Sequence, residues 1–289
     1  MSARSDVGDV ISAAALREWP LPQPGGSKRT RGRVVVVGGS PSTPGAAMLA
    51  GLAALRVGAG ILSLAVARSV AGPVAAAVPE ASVAGLPELD GDADPEAVLP
   101  GAVAGSDAIV IGPGLDDPKA TEVVLRQVLG AAEDTSLVLD AFTLGVLADF
   151  DAADRIRGRS VLTPNSAEAS RLLAADNIDD RDGLTVAVEI AELYGAAVSY
   201  QSYVAEPGGR RWTVPVGHAG LGTSGSGDVL AGAVGGLLAR GADPAQAACW
   251  ATYLHSTAGD RLAARVGRLG FLARELVDQL PFVIVETEA

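Results

Sequence analysis

The chain has 289 residues, 48% of them apolar, enough for a globular protein with a sizeable core in one large or two small domains. Its 34 acidic and 22 basic side chains leave a net charge of −12. That balance excludes a nucleic-acid surface built on clustered Lys and Arg, but not a nucleotide site, which needs only local backbone donors. A single cysteine, Cys249, excludes an intrachain disulfide framework and a Cys-rich zinc site.

Residues 1–32 are polar, interrupted by Pro and Gly, and contain no apolar core segment. They predict an N-terminal arm without a signal peptide, ahead of a single domain over 33–289. Arg33 to Val37 is a β-branched run, apolar on both faces, which predicts a buried parallel strand ending in Gly38-Gly39-Ser40. Thr43-Pro44 supplies an N-cap and a first-turn proline for a helix over Gly45 to Val57. Ile61 to Val66 is the next strand. Arg56 and Gly58-Ala59-Gly60 break the apolar stretch from Ala46 to Val66, which excludes a membrane span there. The chain is therefore expected in the cytoplasm.

Further strands are expected at Ala108 to Ile111, closing on Gly112-Pro113-Gly114, and at Ser136 to Leu139, closing on Asp140. Another runs from Ser160 to Leu162 and closes on Thr163-Pro164-Asn165. Helical patterns cover Lys119 to Leu129, Glu168 to Ala174 and Gly183 to Tyr194. Ala196 to Val216 reads as two extended pieces about a Pro207-Gly208-Gly209 turn. Three helices complete the chain: Val229 to Arg240, Pro244 to Ala264 capped by Asp243, and Phe271 to Leu280. Cys249 falls in the apolar pattern of the second and is expected to be packing.

Strands alternating with helices predict an α/β protein with a mostly parallel central sheet and helices on both faces. Gly38-Gly39-Ser40, Gly112-Pro113-Gly114, Asp140 and Thr163-Pro164-Asn165 all follow expected strands directly. In an open parallel sheet the carboxyl ends of the strands line the ligand crevice. Taken singly, any of these segments is also explained as a tight turn.

Gly222-Thr223-Ser224-Gly225-Ser226-Gly227-Asp228 is the most informative segment. Glycines and hydroxyls ahead of a helix make an anion cradle, where phosphate approaches the backbone and the positive end of the helix dipole. A carboxylate beside phosphate repels it unless it acts there, for instance by taking the proton of an attacking hydroxyl. The alternative is a turn with Asp228 in the first helical turn, where acids are favoured anyway. A dinucleotide fingerprint is excluded because Gly38-Gly39-Ser40-Pro41-Ser42-Thr43 has the wrong glycine spacing and no acid follows about 20 residues on. A P-loop is excluded because no Gly-Lys-Ser/Thr occurs.

Asn165 and Glu168, three apart at a helix start, suit a magnesium ion held through water or a capping box. Asp140 likewise can serve the metal or cap the helix near Phe142. Of the two histidines, His255 lies mid-helix and reads as structural, whereas His218, just before the cradle, is the candidate for ligand contact.

The set Val-Val-Gly-Gly-Ser, Gly-Pro-Gly-Leu, Leu-Asp-Ala, Leu-Thr-Pro and Gly-Thr-Ser-Gly-Ser-Gly-Asp-Val-Leu-Ala-Gly, in this order, resembles the ADP/ATP-dependent NAD(P)H-hydrate dehydratases of the ribokinase-like superfamily. The resemblance runs from about Arg33 to Pro281 and includes Tyr253 to Asp260. The family often carries a fused epimerase domain, for which this chain is expected to have no room. The resemblance implies a ribokinase-like three-layer sandwich that uses ADP or ATP with Mg2+ to phosphorylate the ring hydroxyl of hydrated NADH or NADPH and then expel phosphate. It makes Asp228 the catalytic base at the substrate hydroxyl, Gly227 a nucleotide-phosphate contact, and Ala46 and Gly114 substrate contacts. Gly225 and Ser226 of the cradle join Gly227 at the nucleotide, and Asn165, where the family has its substrate histidine, and His218 beside the cradle are the further substrate candidates. It further implies a homotetramer; the charge balance and the broken apolar stretch already leave neither nucleic acid nor membrane as an expected partner.

Three departures stand out. The family's His-Pro-Gly-Glu appears as Asn165-Ser166-Ala167-Glu168, an Asn-x-x-Glu that resembles the magnesium-site motif of the superfamily's sugar kinases. Its Leu-Asp-Ala-Asp appears as Leu139-Asp140-Ala141-Phe142, and its Leu-Lys-Gly as Ser199-Tyr200-Gln201. Tyr200 and Gln201 then replace the lysine at the nucleotide with uncharged groups. A ribokinase-like kinase of a small alcohol and a catalytically weak nucleotide-binding homologue remain the alternatives.

Overall fold

The computed structural model describes residues 8–23, 25–87, 99–150 and 152–289. Ten strands form one sheet: β1 (Asp9–Val10), β2 (Arg33–Val37), β3 (Ile61–Ala67), β4 (Ala81–Leu86), β5 (Ala108–Ile111), β6 (Ser136–Leu139), β7 (Ser160–Leu162), β8 (Ala197–Tyr200), β9 (Tyr203–Ala205) and β10 (Arg211–Thr213). Their spatial order is β1-β10-β9-β8-β7-β6-β5-β2-β3-β4. Only β9 runs against the others, pairing antiparallel with both β8 and β10. All five residues of β2 are β-branched or long, and Val34 to Val37 are fully buried, as a central strand covered on both faces requires.

Helices cover both faces. The first layer holds α1 (Ala13–Glu18), α2 (Pro44–Arg56), α3 (Arg68–Ala77), α10 (Ser226–Ala239), α11 (Pro244–Arg265) and α12 (Ala273–Glu288). The second holds α4 (Leu99–Val103), α5 (Pro118–Ala131), α6 (Phe142–Asp149), α7 (Ala153–Ile156), α8 (Ser166–Leu172) and α9 (Gly183–Tyr194). Strand residues divide between the layers by alternation: Val34, Val36 and Val110 meet the first, Val35, Val37, Ile109 and Ile111 the second. This is the expected three-layer sandwich.

Local chemistry sets the helix starts. Asp117, Asp182 and Asp243 each accept the N–H three residues on, at 2.7, 2.9 and 2.9 Å. Pro44, Pro118 and Pro244 occupy first-turn positions, where a missing N–H costs nothing. Helices α2 and α10 pack backbone to backbone: a Cβ on Gly232 would lie 2.0 Å from the Ala50 carbonyl oxygen, and one on Gly236 2.5 Å from that of Ala54. Cys249 is buried within α11.

Several boundaries differ from the sequence reading. α10 begins at Ser226, not Val229, so Asp228 stands in the first helical turn. α12 continues through Pro281 to Glu288 instead of stopping at Leu280. One lost backbone bond at Pro281 is outweighed because Leu280, Val283 and Thr287 keep one face buried across it. Phe271 lies ahead of that helix, edge-on to His218. Helix α3, with Pro73 inside it, and the edge strand β4 have weak local signals, being short, small-residue segments. The segment read as an arm adds β1 to the sheet beside β10, and Trp19 stacks on Trp212 at 5.8 Å. No helix among the described residues is long and apolar enough to cross a membrane.

Candidate active site

Strands β2, β5, β6, β7 and β8 are consecutive neighbours and parallel, so their exit loops share one edge of the sheet. From β2 the chain turns through α2 to β3 on one side; from β5 it turns through α5 to β6 on the other. That reversal between adjacent strands creates a crevice at their carboxyl ends. The two loops there are zipped together: Gly39 N–H donates to the Pro113 carbonyl and Ser40 N–H to that of Gly114, both at 2.8 Å. Gly114 has φ 73°, and a Cβ on it would meet the Thr43 carbonyl oxygen at 2.4 Å and Ala46 Cβ at 3.0 Å. Ala46 and Gly114, expected on one substrate, are thus direct neighbours.

A tie across this crevice was not legible in the sequence. Asp116 Oδ2 accepts from the Ser40 and Ser42 hydroxyls, each at 2.6 Å, and Thr43 Oγ1 donates to the Gly114 carbonyl at 2.9 Å. The Ser40 and Ser42 hydroxyls, in that order, hold the Asp116 carboxyl below its ordinary range. The partners lie 74 and 76 residues apart, and no local pattern marks such a pair. A cavity of about 460 Å3 opens beside these loops, walled by Ser40, Leu86, Leu99, Asp116 and Val124, and does not include the Asp228 loop.

At the start of α10, Gly225 takes φ 87° and lies against Leu49 and Ala273. The Ser226 N–H is used by the Thr223 carbonyl at 3.1 Å, which leaves the N–H groups of Gly227 and Asp228 at the open helix end. Space around Gly227 is open, since a Cβ there would meet nothing within 4 Å. The donor set suits an anion. Burial pushes the Asp228 carboxyl up to about 6, toward the range of a general base working near neutrality.

Two further acids stand at neighbouring exits. Asp140, 5% exposed, accepts from the Thr163 hydroxyl at 2.7 Å. Its carboxyl is pushed up to about 7, chiefly by burial and also by the charges of Glu168 and Asp228, so the three acids share one field. Ala141, next in the chain, takes φ 50° and ψ −128°, a conformation that costs a non-glycine residue about 1–3 kcal/mol. Glu168 is tied with Asn165 in a capping box: Asn165 Oδ1 accepts the Glu168 N–H at 3.0 Å, and Glu168 Oε2 accepts the Asn165 N–H at 2.9 Å. Burial raises the Glu168 carboxyl as well. Among the described residues no three His, Cys, Asp or Glu side chains converge to hold a metal ion by themselves. What Asp140 and Glu168 offer is negative field of the kind that suits a hydrated Mg2+ carried on phosphates.

At the β8 exit, Gln201 takes φ 54°, a left-handed conformation that glycine adopts most readily, at the position where the resemblance puts the glycine of Leu-Lys-Gly. The Tyr200 hydroxyl, within a fully buried side chain, meets Ser166 Oγ at 3.3 Å and Gln201 Nε2 at 3.2 Å. His218 is placed differently from expectation. Its Nδ1 accepts from Gly220 N–H at 2.8 Å, so Nε2 carries the proton and donates to the Gly259 carbonyl at 3.2 Å. Both ring nitrogens are engaged within the protein. His255, read as structural, reaches the cradle itself, with Nε2 2.9 Å from Ser226 Oγ.

The sheet order, the glycine-lined crevice and the carboxylate at a helix start define a nucleotide-dependent α/β enzyme of ribokinase-like fold. The family model described as NAD(P)H-hydrate dehydratase matches residues 34–282. An ADP-dependent (S)-NAD(P)H-hydrate dehydratase from Xanthomonas campestris is 44% identical over 95% of this chain and 96% of its own length. A ribokinase-like superfamily protein from Enterococcus faecalis superposes with a TM-score of 0.84 at 25% identity, over 100% of both chains. An ADP/ATP-dependent NAD(P)H-hydrate dehydratase from Bacillus subtilis, co-crystallised with ATP and Mg2+, superposes with a TM-score of 0.80 at 28% identity, over 99% of this chain and 100% of that one. The chain belongs to the NAD(P)H-hydrate dehydratase family.

Proposed function

We propose that this enzyme restores NADH and NADPH from their hydrated forms with ADP or ATP as phosphoryl donor. The observation that carries this reading is Asp228: a desolvated carboxyl in the first turn of a helix whose open N–H groups are placed to donate to phosphate. Asp228 takes the proton of the ring hydroxyl as its oxygen bonds to the terminal phosphorus and the bond from that phosphorus to the nucleotide breaks. The ring-nitrogen lone pair then expels the new phosphate by C–O cleavage, and loss of a ring proton restores the double bond.

Gly225 and Gly227 shape the phosphate cradle, and Ala46 and Gly114 border the hydrated dinucleotide. Gln201 faces the nucleotide in place of the family's lysine, while Tyr200, buried behind it, acts there only through the hydroxyl it shares with Ser166 and Gln201. Ser226 serves through its position, because its N–H and hydroxyl are both engaged within the protein. Mg2+ would neutralise charge on the transferring phosphoryl group, and Asp140 and Glu168 would meet its water shell. The kinase alternative is not favoured, because the family model that matches residues 34–282 is that of the NAD(P)H-hydrate dehydratases.

We infer a cytoplasmic homotetramer in which 33–289 is the catalytic unit. The exposed Phe282 and Val285 of α12 support an assembly, and sedimentation would test it.

The test is recovery of reduced-nicotinamide absorbance from hydrated NADH or NADPH given Mg2+ and ADP or ATP. Recovery should require nucleotide and disappear in Asp228→Asn. Nucleotide-independent recovery, or phosphorylation of a small alcohol with no recovery, would sink the reading.

A further inference from the structure

Ser226 sits between the two glycines of the cradle, and its side chain turns away from the crevice. It is 4% exposed, and its hydroxyl meets Nε2 of His255, itself 7% exposed, at 2.9 Å. Gly225, in its left-handed conformation, and Gly227, with open space around its Cβ position, bring no side chain that could hold the backbone on either side of Ser226. Between Gly222 and Asp228, the Ser226 hydroxyl makes the one side-chain hydrogen bond to other described residues. A floppy cradle could not hold its N–H groups on a developing charge without reorganising, and that reorganisation is what a preorganised site avoids.

The anchoring helix is fixed to the site at more than one point. Along α11, His255 holds the cradle, the Gly259 carbonyl accepts from His218, and Asp260 Oδ2 accepts the Gly217 N–H at 2.9 Å. One helix therefore carries both the cradle and the 217–220 turn before it. The geometry points to His255 as a positioning residue that holds the first turn of α10, and with it Asp228, in register for phosphoryl transfer through Ser226.

Burial lowers the imidazole to about 4, so the ring is neutral at physiological pH and adds no charge that would bind the phosphate itself. Either hydrogen-bond direction, Ser226 hydroxyl to Nε2 or Nε2–H to the hydroxyl, fixes Ser226 Oγ equally well.

This inference rests on the dehydratase reading, and the experiment separates the two. Full-length protein is compared with Ser226→Ala, His255→Leu, the double variant and His255→Gln, whose amide can replace the Nε2 contact. Turnover of hydrated NADH, nucleotide affinity by calorimetry and thermal unfolding are measured on each. Ser226→Ala and His255→Leu should each lower kcat on the order of tenfold, less than the ~10²-fold that a 1 Å misplacement can cost. The double variant should be no worse than either single one, and His255→Gln should recover most of the rate. Additive losses, or losses that follow thermal stability while His255→Gln is no better than His255→Leu, would overturn the assignment. If the parent protein does not dehydrate hydrated NADH, the function proposed above fails. In that case the same non-additivity and recovery read in nucleotide affinity support the positioning role, and their absence overturns it.

Discussion

The Thr163 hydroxyl donates to Asp140 at 2.7 Å, joining the exits of two adjacent strands through a carboxyl that burial has pushed up to about 7. In the unfolded chain such a carboxyl titrates near 4, so between about pH 4 and pH 7 the native state binds more protons. Stability should therefore fall as pH rises through that window and level off above it. Asp140→Asn keeps an acceptor for Thr163 and removes the charge. It should flatten this slope and add on the order of 1–3 kcal/mol at about pH 8. Denaturant midpoints measured across pH check this, and an unchanged slope would refute it.

Asp228 titrates for the opposite purpose. A base must be ionised to accept a proton, so kcat/KM should decline about tenfold per pH unit once pH drops below about 6. The acid limb should vanish in Asp228→Asn along with the rate. A profile whose acid limb survives that substitution would assign the base elsewhere.

The Ser40 and Ser42 bonds to Asp116 close one rim of the crevice beside Ala46 and Gly114. Asp116→Ala should raise KM for the hydrated dinucleotide several-fold, about 1 kcal/mol, with little change in kcat. The depressed carboxyl contributes stability above its unfolded pKa that is lost as pH falls through the folded value. Because Asp116 is exposed, that contribution stays below about 1 kcal/mol. Equal KM values for the two proteins would show that the tie does not shape the substrate site.

Tyr200→Phe removes the hydroxyl shared by Ser166 and Gln201 at the β8 exit. The nucleotide KM should rise by a factor corresponding to about 1 kcal/mol, while KM for the hydrated dinucleotide stays put. Initial rates with each substrate varied in turn distinguish this from general damage, which would raise both.

Gly232→Ala attacks the packing behind the cradle. Its Cβ would lie 2.0 Å from the Ala50 carbonyl, and a backbone oxygen cannot rotate aside as a side chain can. A loss of about 1–3 kcal/mol in chemical denaturation is expected, against a gain for Gly→Ala in an open helix. Unchanged stability would mean that the two helices separate easily.

The frame of the site was readable because buried parallel strands announce themselves. Val34 to Val37, Ala108 to Ile111 and Ser136 to Leu139 are short apolar runs that stop at glycine or a polar residue, and the exits they mark do share one edge. What joins the exits was not readable. Ser40 with Asp116 and Ser226 with His255 are ordinary residue types, 76 and 29 positions apart, brought together only by the layering of helices on the sheet. The left-handed turn at Ala141 leaves no mark in composition either, because alanine gives no hint of positive φ. For a related reason the sequence did not show the partners of His218: closeness to the cradle along the chain says nothing about where a ring points, and both its nitrogens meet backbone groups of Gly220 and Gly259.

The glycine contacts between α2 and α10 have a mechanical meaning. Ala46 in the first turn of α2 and Asp228 in the first turn of α10 stand on two rods fused backbone to backbone at Ala50–Gly232 and Ala54–Gly236. The wall proposed to border the dinucleotide and the wall proposed to receive phosphate therefore move as one body. Among the described residues, the side of the crevice with more freedom to give way is the opposite one, where short α8 and the β8 exit meet through side-chain hydroxyls and an amide.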